Sequence, residues 1–450
     1  MRGSLLAIAC ASALAALCAA AAAAETAAVL DEARKGVVTI RDSSGSARPA
    51  GPDAFFQEEA VGGDILGSGI VISQAGLVLT ANHAVSKCKS ISVVLWDSSE
   101  FDAKLVAAEP CLDVAILQIQ NAGLAALPWR TKEPAVMGET VYAIGTPAIL
   151  GDPVPSASRG IVSGVHKAVE RRDEDGPAPF LLDLIETDAQ LSPGQSGGAL
   201  VDSEGRLVGM CIGVYQPVGA GRGRAFALPA DDWLQAGLDS MVKTGRLPIG
   251  RLGLQALPLT IERARRLGRE PRSGVQVISV QAHGPADKAG IAVGDIITRV
   301  DGRPVRLVNE LRRLEMRLAP GSTAKVTLLR AGAVQPAEVE VAVASDGAAL
   351  GQKVLEFAWR GMRLRDIENS RPRESSPRVK SGVVVVDVAG GSFAYEAGIR
   401  GGNIIVEVNN TAVDSLADFE AAVKDIPDTN VVRVRTNEGI GHVQGEIRRE

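Results

Sequence analysis

A chain of 450 residues, 46% apolar and 22% charged, is too long for one ordinary domain and has the balance of a folded protein with several cores. Its net charge of −5 excludes a strongly basic nucleic-acid surface. Aromatic residues make up 3%, so the cores must be filled by Val, Leu, Ile and Ala.

In chain order, the first element is a targeting segment. Arg2 is a short positive region, Leu5 to Leu17 is apolar, and Ala22-Ala23-Ala24 is a small-residue cleavage site ahead of Glu25. Residues 1–24 therefore read as a signal peptide. A membrane anchor fits less well, because no basic stop-transfer flank follows. A lipoprotein signal at Cys18 also fits less well, because bulky Leu17 precedes it. No later segment approaches 18 uninterrupted apolar residues, so the mature chain is expected to be soluble. Export implies an oxidising compartment, where Cys88, Cys111 and Cys211 allow one intramolecular bridge at most.

Residues 42–63, rich in Gly, Ser, Pro and Ala, read as a long flexible loop. Short β-rich runs then recur at residues 69–72, 77–80, 91–95, 114–117, 141–144 and 207–212, punctuated by Gly, Pro, Asn or Asp. Such spacing predicts an antiparallel barrel or sandwich. Asp231 to Val242 predicts an amphipathic helix leading out of this domain. The second half repeats itself. Ser273-Gly274-Val275 returns as Ser381-Gly382-Val383, Ala289-Gly290-Ile291 as Ala397-Gly398-Ile399, and Leu252-Gly253-Leu254 aligns with Arg360-Gly361-Met362. Each pair is 108 residues apart (381 − 273), which means two copies of one domain. Residues 345–353 read as the linker between them.

Three local patterns carry chemistry. His83 follows an apolar strand, Asp113 heads another, and Ser196 lies in Gly194-Gln195-Ser196-Gly197-Gly198 ahead of a third apolar run. Acyl transfer needs a serine activated by a base, and a base held in one tautomer by an acid. The glycines let the N–H groups of Gly194 and Ser196 converge on an oxyanion. Taken singly, each piece has a bland reading: a structural histidine, a strand-capping aspartate, a glycine turn. Their joint occurrence in order carries the weight. Gly194-x-Ser196-x-Gly198 also matches a nucleophile elbow, but those enzymes run Ser, acid, His, and here His and Asp precede Ser. Because His83 and Asp113 must meet, Cys88 and Cys111 are candidates for a disulfide, with two buried free thiols as the alternative. No Cys/His cluster has metal-ligand spacing, and no cofactor is expected.

These motifs resemble the HtrA/DegP family of trypsin-like proteases with C-terminal PDZ domains. The likeness includes Gly67-Ser68-Gly69-Ile70-Val71-Ile72, Thr187-Asp188-Ala189 before the serine loop, and Phe226-Ala227-Leu228-Pro229. Gln195, where the family usually has Asn, and the charged segment 170–179, in the family's regulatory loop region, depart from it. The resemblance implies a mainly β fold. It would comprise a chymotrypsin-like double barrel over 25–245 and two PDZ domains, α+β partly open barrels, over 246–345 and 346–450. It also implies a periplasmic endopeptidase acting on unfolded or misfolded envelope proteins, assembled as a homotrimer or larger. Its substrate pocket would include Leu191, Ile212 and Val214. PDZ domains take a peptide as an added strand and seat its terminal carboxylate on backbone N–H groups. Leu252, Gly253 and Leu254 would do this in the first copy, and Arg360, Gly361 and Met362 in the second. A chaperone that rarely cuts, or a signalling protease for one regulator, are the rival readings.

Overall fold

The computed structural model describes residues 24–44, 64–120, 123–169, 172–173, 176–177, 181–215, 223–259, 261–266, 273–330, 333–340, 342–343, 356–366, 382–389, 391–399, 403–427, 431–436 and 439–443. Residues 1–23 of the expected signal peptide 1–24, most of the expected loop 42–63 and the expected linker 345–353 lie outside the described residues. The chain divides into two compact units, 1–247 and 248–450.

The first unit is built from two closed six-stranded barrels. One runs Val37–Asp42, Ile65–Val71, Leu77–Ala81, Val114–Ile119, Glu100–Glu109, Ile91–Val94 and back to its start. Its core is Val38, Ile40, Val78, Val93, Leu117 and Ile119. The other runs Leu181–Thr187, Arg224–Pro229, Leu207–Tyr215, Ala199–Val201, Thr140–Gly145, Ser156–Val169 and closes on Leu181–Thr187. Closure leaves no free sheet edge. The expected helix spans Asp232–Thr244. Asp231 caps it by accepting the Leu234 N–H, and Gly245, at φ 77°, ends it.

The second unit holds the two repeats, and the sequence offset is kept by the backbone. Strands Leu254–Pro258, Val275–Val280 and Ile296–Val300 return 108 residues later as Met362–Asp366, Val383–Val388 and Ile404–Val408. Helix Val308–Met316 returns as Leu416–Val423. Each copy has its own core, around Val277, Ile297, Leu311 and Val326 in the first and Val385, Ile405, Phe419 and Val434 in the second. Burying this much aliphatic surface at about 25 cal/mol per Å² is what allows domains with so few aromatics to fold. The architecture is thus a double-barrel protease fold followed by two PDZ-type β domains. Among the described residues no helix is long and apolar enough to cross a membrane.

Candidate active site

Strand register brings His83 and Asp113 together. Leu77–Ala81 pairs with Val114–Ile119 so that Ala81 faces Val114. The residues just after one strand and just before the other therefore share one barrel end. His83 lies on the single turn Asn82–Val85, and Asp113 sits at φ 58° in a tight turn closed by its own N–H donating to Pro110 O (3.2 Å). The wholly buried Asp113 carboxylate uses both oxygens on one residue. Oδ2 is 2.6 Å from His83 Nδ1, and Oδ1 accepts the His83 backbone N–H at 2.8 Å. Asn82 N–H also donates to Asp113 O at 3.0 Å. Ring and backbone are clamped by one acid, which presents Nε2 away from Asp113.

Ser196 belongs to the other barrel and is 5% exposed. Its loop begins with the turn Ser192-Pro193-Gly194-Gln195, closed by Gln195 N–H to Ser192 O at 3.0 Å. Gly194 stands there at φ 92°, the positive value that the third position of a type II turn demands. The loop is docked on the first barrel through Ser68. Ser68 N–H donates to Ser196 O (2.8 Å), and Ser68 Oγ donates to Gly194 O (2.7 Å) while accepting the Thr146 N–H (2.8 Å). Gly197, at φ 83°, packs directly against the first barrel: any Cβ there would strike Ser68 O and Thr80 Oγ1. Cys211 brackets the loop, its O accepting Gly197 N–H (2.7 Å) and its N–H donating to Gly198 O (2.8 Å). The Ser196 hydroxyl donates to Ile212 O at 2.9 Å. A hydroxyl rotates freely between partners, so this bond records a resting orientation.

Ser68 was not singled out from sequence, and Gln195 was noted only as standing where the family usually has Asn, its backbone N–H being expected to matter and its side chain little. Ser68 lies in Gly67-Ser68-Gly69, whose form signals a close approach without naming its partner. Gln195 is 3% exposed; its Oε1 accepts the Ser192 N–H (2.7 Å) and its Nε2 donates to Gly145 O (3.3 Å), bracing the turn from inside. The pocket residues divide. Leu191 is partly buried against the second-barrel core, and Val214 is partly exposed. Ile212 is 0% exposed, so it meets the serine through its carbonyl and its side chain does not line an open pocket. The disulfide is not formed: Cys88, Cys111 and Cys211 are all free thiols. Cys88 Sγ is directed at Ala84 O (3.5 Å), and the Cys111 N–H donates to Glu109 (3.1 Å).

The PDZ loops differ from expectation in physical detail. Gly253 has φ 72° as a carboxylate-binding loop requires, and strand Leu254–Pro258 is the edge of its sheet. However, Leu252 is 0% exposed in the core and does not wall a ligand pocket, and its N–H already donates to the Glu315 carboxyl. In the second copy Arg360 and Gly361 form the two-residue turn of a hairpin, with φ 45° and 82°. Both positive angles are those of a type I′ turn. Met362 is buried in the core at 1% exposure.

Comparison with known proteins agrees with this architecture. Residues 67–210 match the trypsin-like peptidase domain, 250–341 a PDZ domain and 360–429 a PDZ-like domain. A probable periplasmic serine endoprotease DegP-like from Brucella suis biovar 1 is 35% identical over 79% of this chain and 68% of its own. One of the same description from Pseudomonas putida GB-1 is 32% identical over 86% of this chain and 79% of its own. The solved HtrA-type protease AlgW with decapeptide superposes with TM-score 0.55 at 28% identity, covering 71% of this chain and 99% of that one. With two barrels, two PDZ domains and relatives of this similarity, the chain belongs to the HtrA/DegP-like family of serine endoproteases.

Proposed function

We propose that Ser196 is the nucleophile, His83 its general base and Asp113 the group that orients and balances the imidazole. In this reading Ser196 Oγ attacks the scissile carbonyl carbon and His83 Nε2 takes the hydroxyl proton. The oxyanion is held by the Gly194 and Ser196 N–H groups. Collapse of the tetrahedral species expels the amine, which receives the proton from His83 and leaves an acyl-enzyme that water hydrolyses. The observation that carries the reading is the two-point grip of the Asp113 carboxylate on His83, 2.6 Å to Nδ1 and 2.8 Å to the backbone N–H. A merely strand-capping aspartate has no need of the ring.

The relatives' printed name supports a periplasmic enzyme, and in this reading residues 1–24 are the segment that exports it. On this reading the protease domain is 25–245, the PDZ domains are 246–345 and 346–450, and the assembly is a homotrimer or larger. Substrates are unfolded or misfolded polypeptides, selected beside Leu191 and Val214 for a small apolar residue. Polypeptide segments engage the PDZ part and raise proteolysis. The test is degradation of unfolded casein. The parent chain degrades it, and Ser196→Ala lowers turnover on the order of a millionfold. A Ser196→Ala chain that still cuts in a contaminant-free preparation refutes the assignment. An active chain that cuts one regulator but spares casein refutes the quality-control substrate class.

A further inference from the structure

The two PDZ copies treat the segment ahead of their groove strand in opposite ways. In the first, Gly250–Arg251 turns away to pair with Ala342–Val343, leaving Leu254–Pro258 as the sheet's outermost strand. In the second, the equivalent stretch lies within Glu356–Trp359, which folds back antiparallel onto Met362–Asp366 in the register Trp359↔Met362, Phe357↔Leu364. The sheet order there is Glu356–Trp359, Met362–Asp366, Val383–Val388, so the edge to which a peptide would add is already paired. Phe357 and Trp359, two residues apart and thus on one face, reach the groove helix Leu416–Val423. Their rings lie 6.1 Å and 5.5 Å from Phe419, at 67° and 81°. Arg360 fastens the end, with its guanidinium 4.6 Å from the Trp359 ring and Nη2 donating to Pro427 O at 2.9 Å.

We propose that Glu356–Trp359 is a built-in ligand of the second PDZ groove, supplying both the added strand and its anchoring side chains, so that polypeptide segments are read at the first PDZ domain. The proposal rests on the reading of these domains as peptide readers. A ligand for the second groove would have to displace an aromatic-x-aromatic strand tethered by a two-residue turn, whose effective concentration favours the resident.

Hydrogen exchange on the full-length Ser196→Ala chain tests it, with a decapeptide ending in Val-Ala-Leu as probe. Without peptide, amides of Met362–Asp366 exchange slowly. Saturating peptide adds protection at Leu254–Pro258 and none at Met362–Asp366. Phe357→Ala with Trp359→Ala makes Met362–Asp366 exchange fast and lets peptide protect it. Fast exchange at Met362–Asp366 in the unsubstituted domain, or protection there by peptide, overturns the proposal. If the double substitution unfolds the domain, the cross-strand pair Ala358→Cys with Arg363→Cys replaces it. Oxidation then leaves peptide binding unchanged, and a loss of binding on oxidation overturns the proposal. Peptide that protects neither domain while Met362–Asp366 stays slow refutes the peptide-reader reading and leaves the paired hairpin standing.

A different set of residues carries a second inference. The Leu252 N–H donates to Glu315 Oε1, and the Gly253 N–H adds a hydrogen bond to the same part-buried carboxyl, with Arg251 and Arg312 beside it. Those N–H groups are the ones a terminal carboxylate would need. The equivalent position of the second copy is Val423. We infer that Glu315 occupies the carboxylate seat of the first PDZ domain, which therefore takes internal extended segments along Leu254–Pro258 rather than free C-termini. The test compares the Val-Ala-Leu decapeptide as free acid and as amide on the Ser196→Ala chain. Their affinities are equal in the parent, and Glu315→Val favours the acid by about tenfold, the worth of a charge-assisted hydrogen bond. A parent that prefers the acid tenfold overturns the inference. If neither peptide binds, exchange at the Leu252 and Gly253 amides decides: slow in the parent and fast in Glu315→Val supports the filled seat, and fast in both overturns it.

Discussion

At the scale of single residues, the site depends on side chains that brace backbone. Gln195 holds the Ser192–Gln195 turn through two hydrogen bonds, and that turn orients the Gly194 N–H. Losing both is worth about 1–3 kcal/mol of turn stability, because the freed Ser192 N–H and Gly145 O sit in a part-buried pocket. Gln195→Ala should therefore lower kcat by roughly 5- to 150-fold with little change in KM, since the loss falls on the oxyanion. Gln195→Asn should recover part of it. Equal kcat values for Gln195→Ala and parent would show that the backbone holds the turn unaided. Glu315 shows the cost of a partly buried acid. Burial pushes its carboxyl up, partly offset by the Leu252 N–H and by Arg251 and Arg312. A raised carboxyl binds more protons folded than unfolded. Stability therefore declines as pH rises past the unfolded value of about 4.3, until Glu315 is ionised in the fold as well. Urea midpoints of the first PDZ domain across pH should show this decline, and Glu315→Gln should flatten it.

At the scale of elements, the sequence pattern found strands where apolar runs are short and clean. Leu77–Ala81, Val114–Ile119 and Thr140–Gly145 contain the runs read from sequence, and Ile91–Val94 covers all of the run 91–95 but its last residue. It passed over Glu100–Glu109, whose Glu100, Asp102 and Lys104 face outward and whose register slips near Leu105, and Ser156–Val169, which is interrupted by Gly160 and Gly164. It also passed over Leu181–Thr187, because Asp183 and Glu186 look like surface residues yet are buried and paired with His166 and Lys167. Element packing also settles the thiols. Cys211 lies inside strand Leu207–Tyr215, and burial pushes its thiol up to about 12. In the folded protein Cys88 should be the thiol that alkylates, and Cys211 should stay unmodified until denaturant is added. Mass mapping of the labelled cysteines checks both, and early Cys211 labelling would mean an opened second barrel.

At the scale of the whole molecule, the chain passes from helix Asp232–Thr244 to strand Gly250–Arg251 with few residues between. A segment bound on Leu254–Pro258 is therefore expected to raise proteolysis by coupling and not merely by tethering. Coupling of this kind is about 1–3 kcal/mol, or roughly 5- to 150-fold. A tether speeds only substrates that carry the binding segment. Cleavage of a short fluorogenic reporter, with and without a separate bound peptide, distinguishes the two. A flat reporter rate under proven binding leaves only the tether. Gly253→Glu should abolish the effect, because at φ 72° its Cβ would crowd Pro285 at 3.1 Å.

What the sequence determined by itself was everything that depends on order and period. The His, Asp, Ser order separated this chain from nucleophile-elbow hydrolases, and the 108-residue offset gave two copies of one domain whose strands keep that spacing. Which groups bond to one another was settled only when the elements packed together. Nothing local in Leu252-Gly253-Leu254 reveals that Glu315, 63 residues on, reaches the loop N–H groups. Nothing local in Arg360-Gly361-Met362 reveals that the preceding strand folds back into the groove. Nor does the proximity of Cys88 and Cys111 to the His83 and Asp113 segments show where the sulfurs point. Periodicity reports which face of an element is apolar. Hydrogen-bond partners far apart in the chain are chosen by register and packing, which exist only once the elements have assembled.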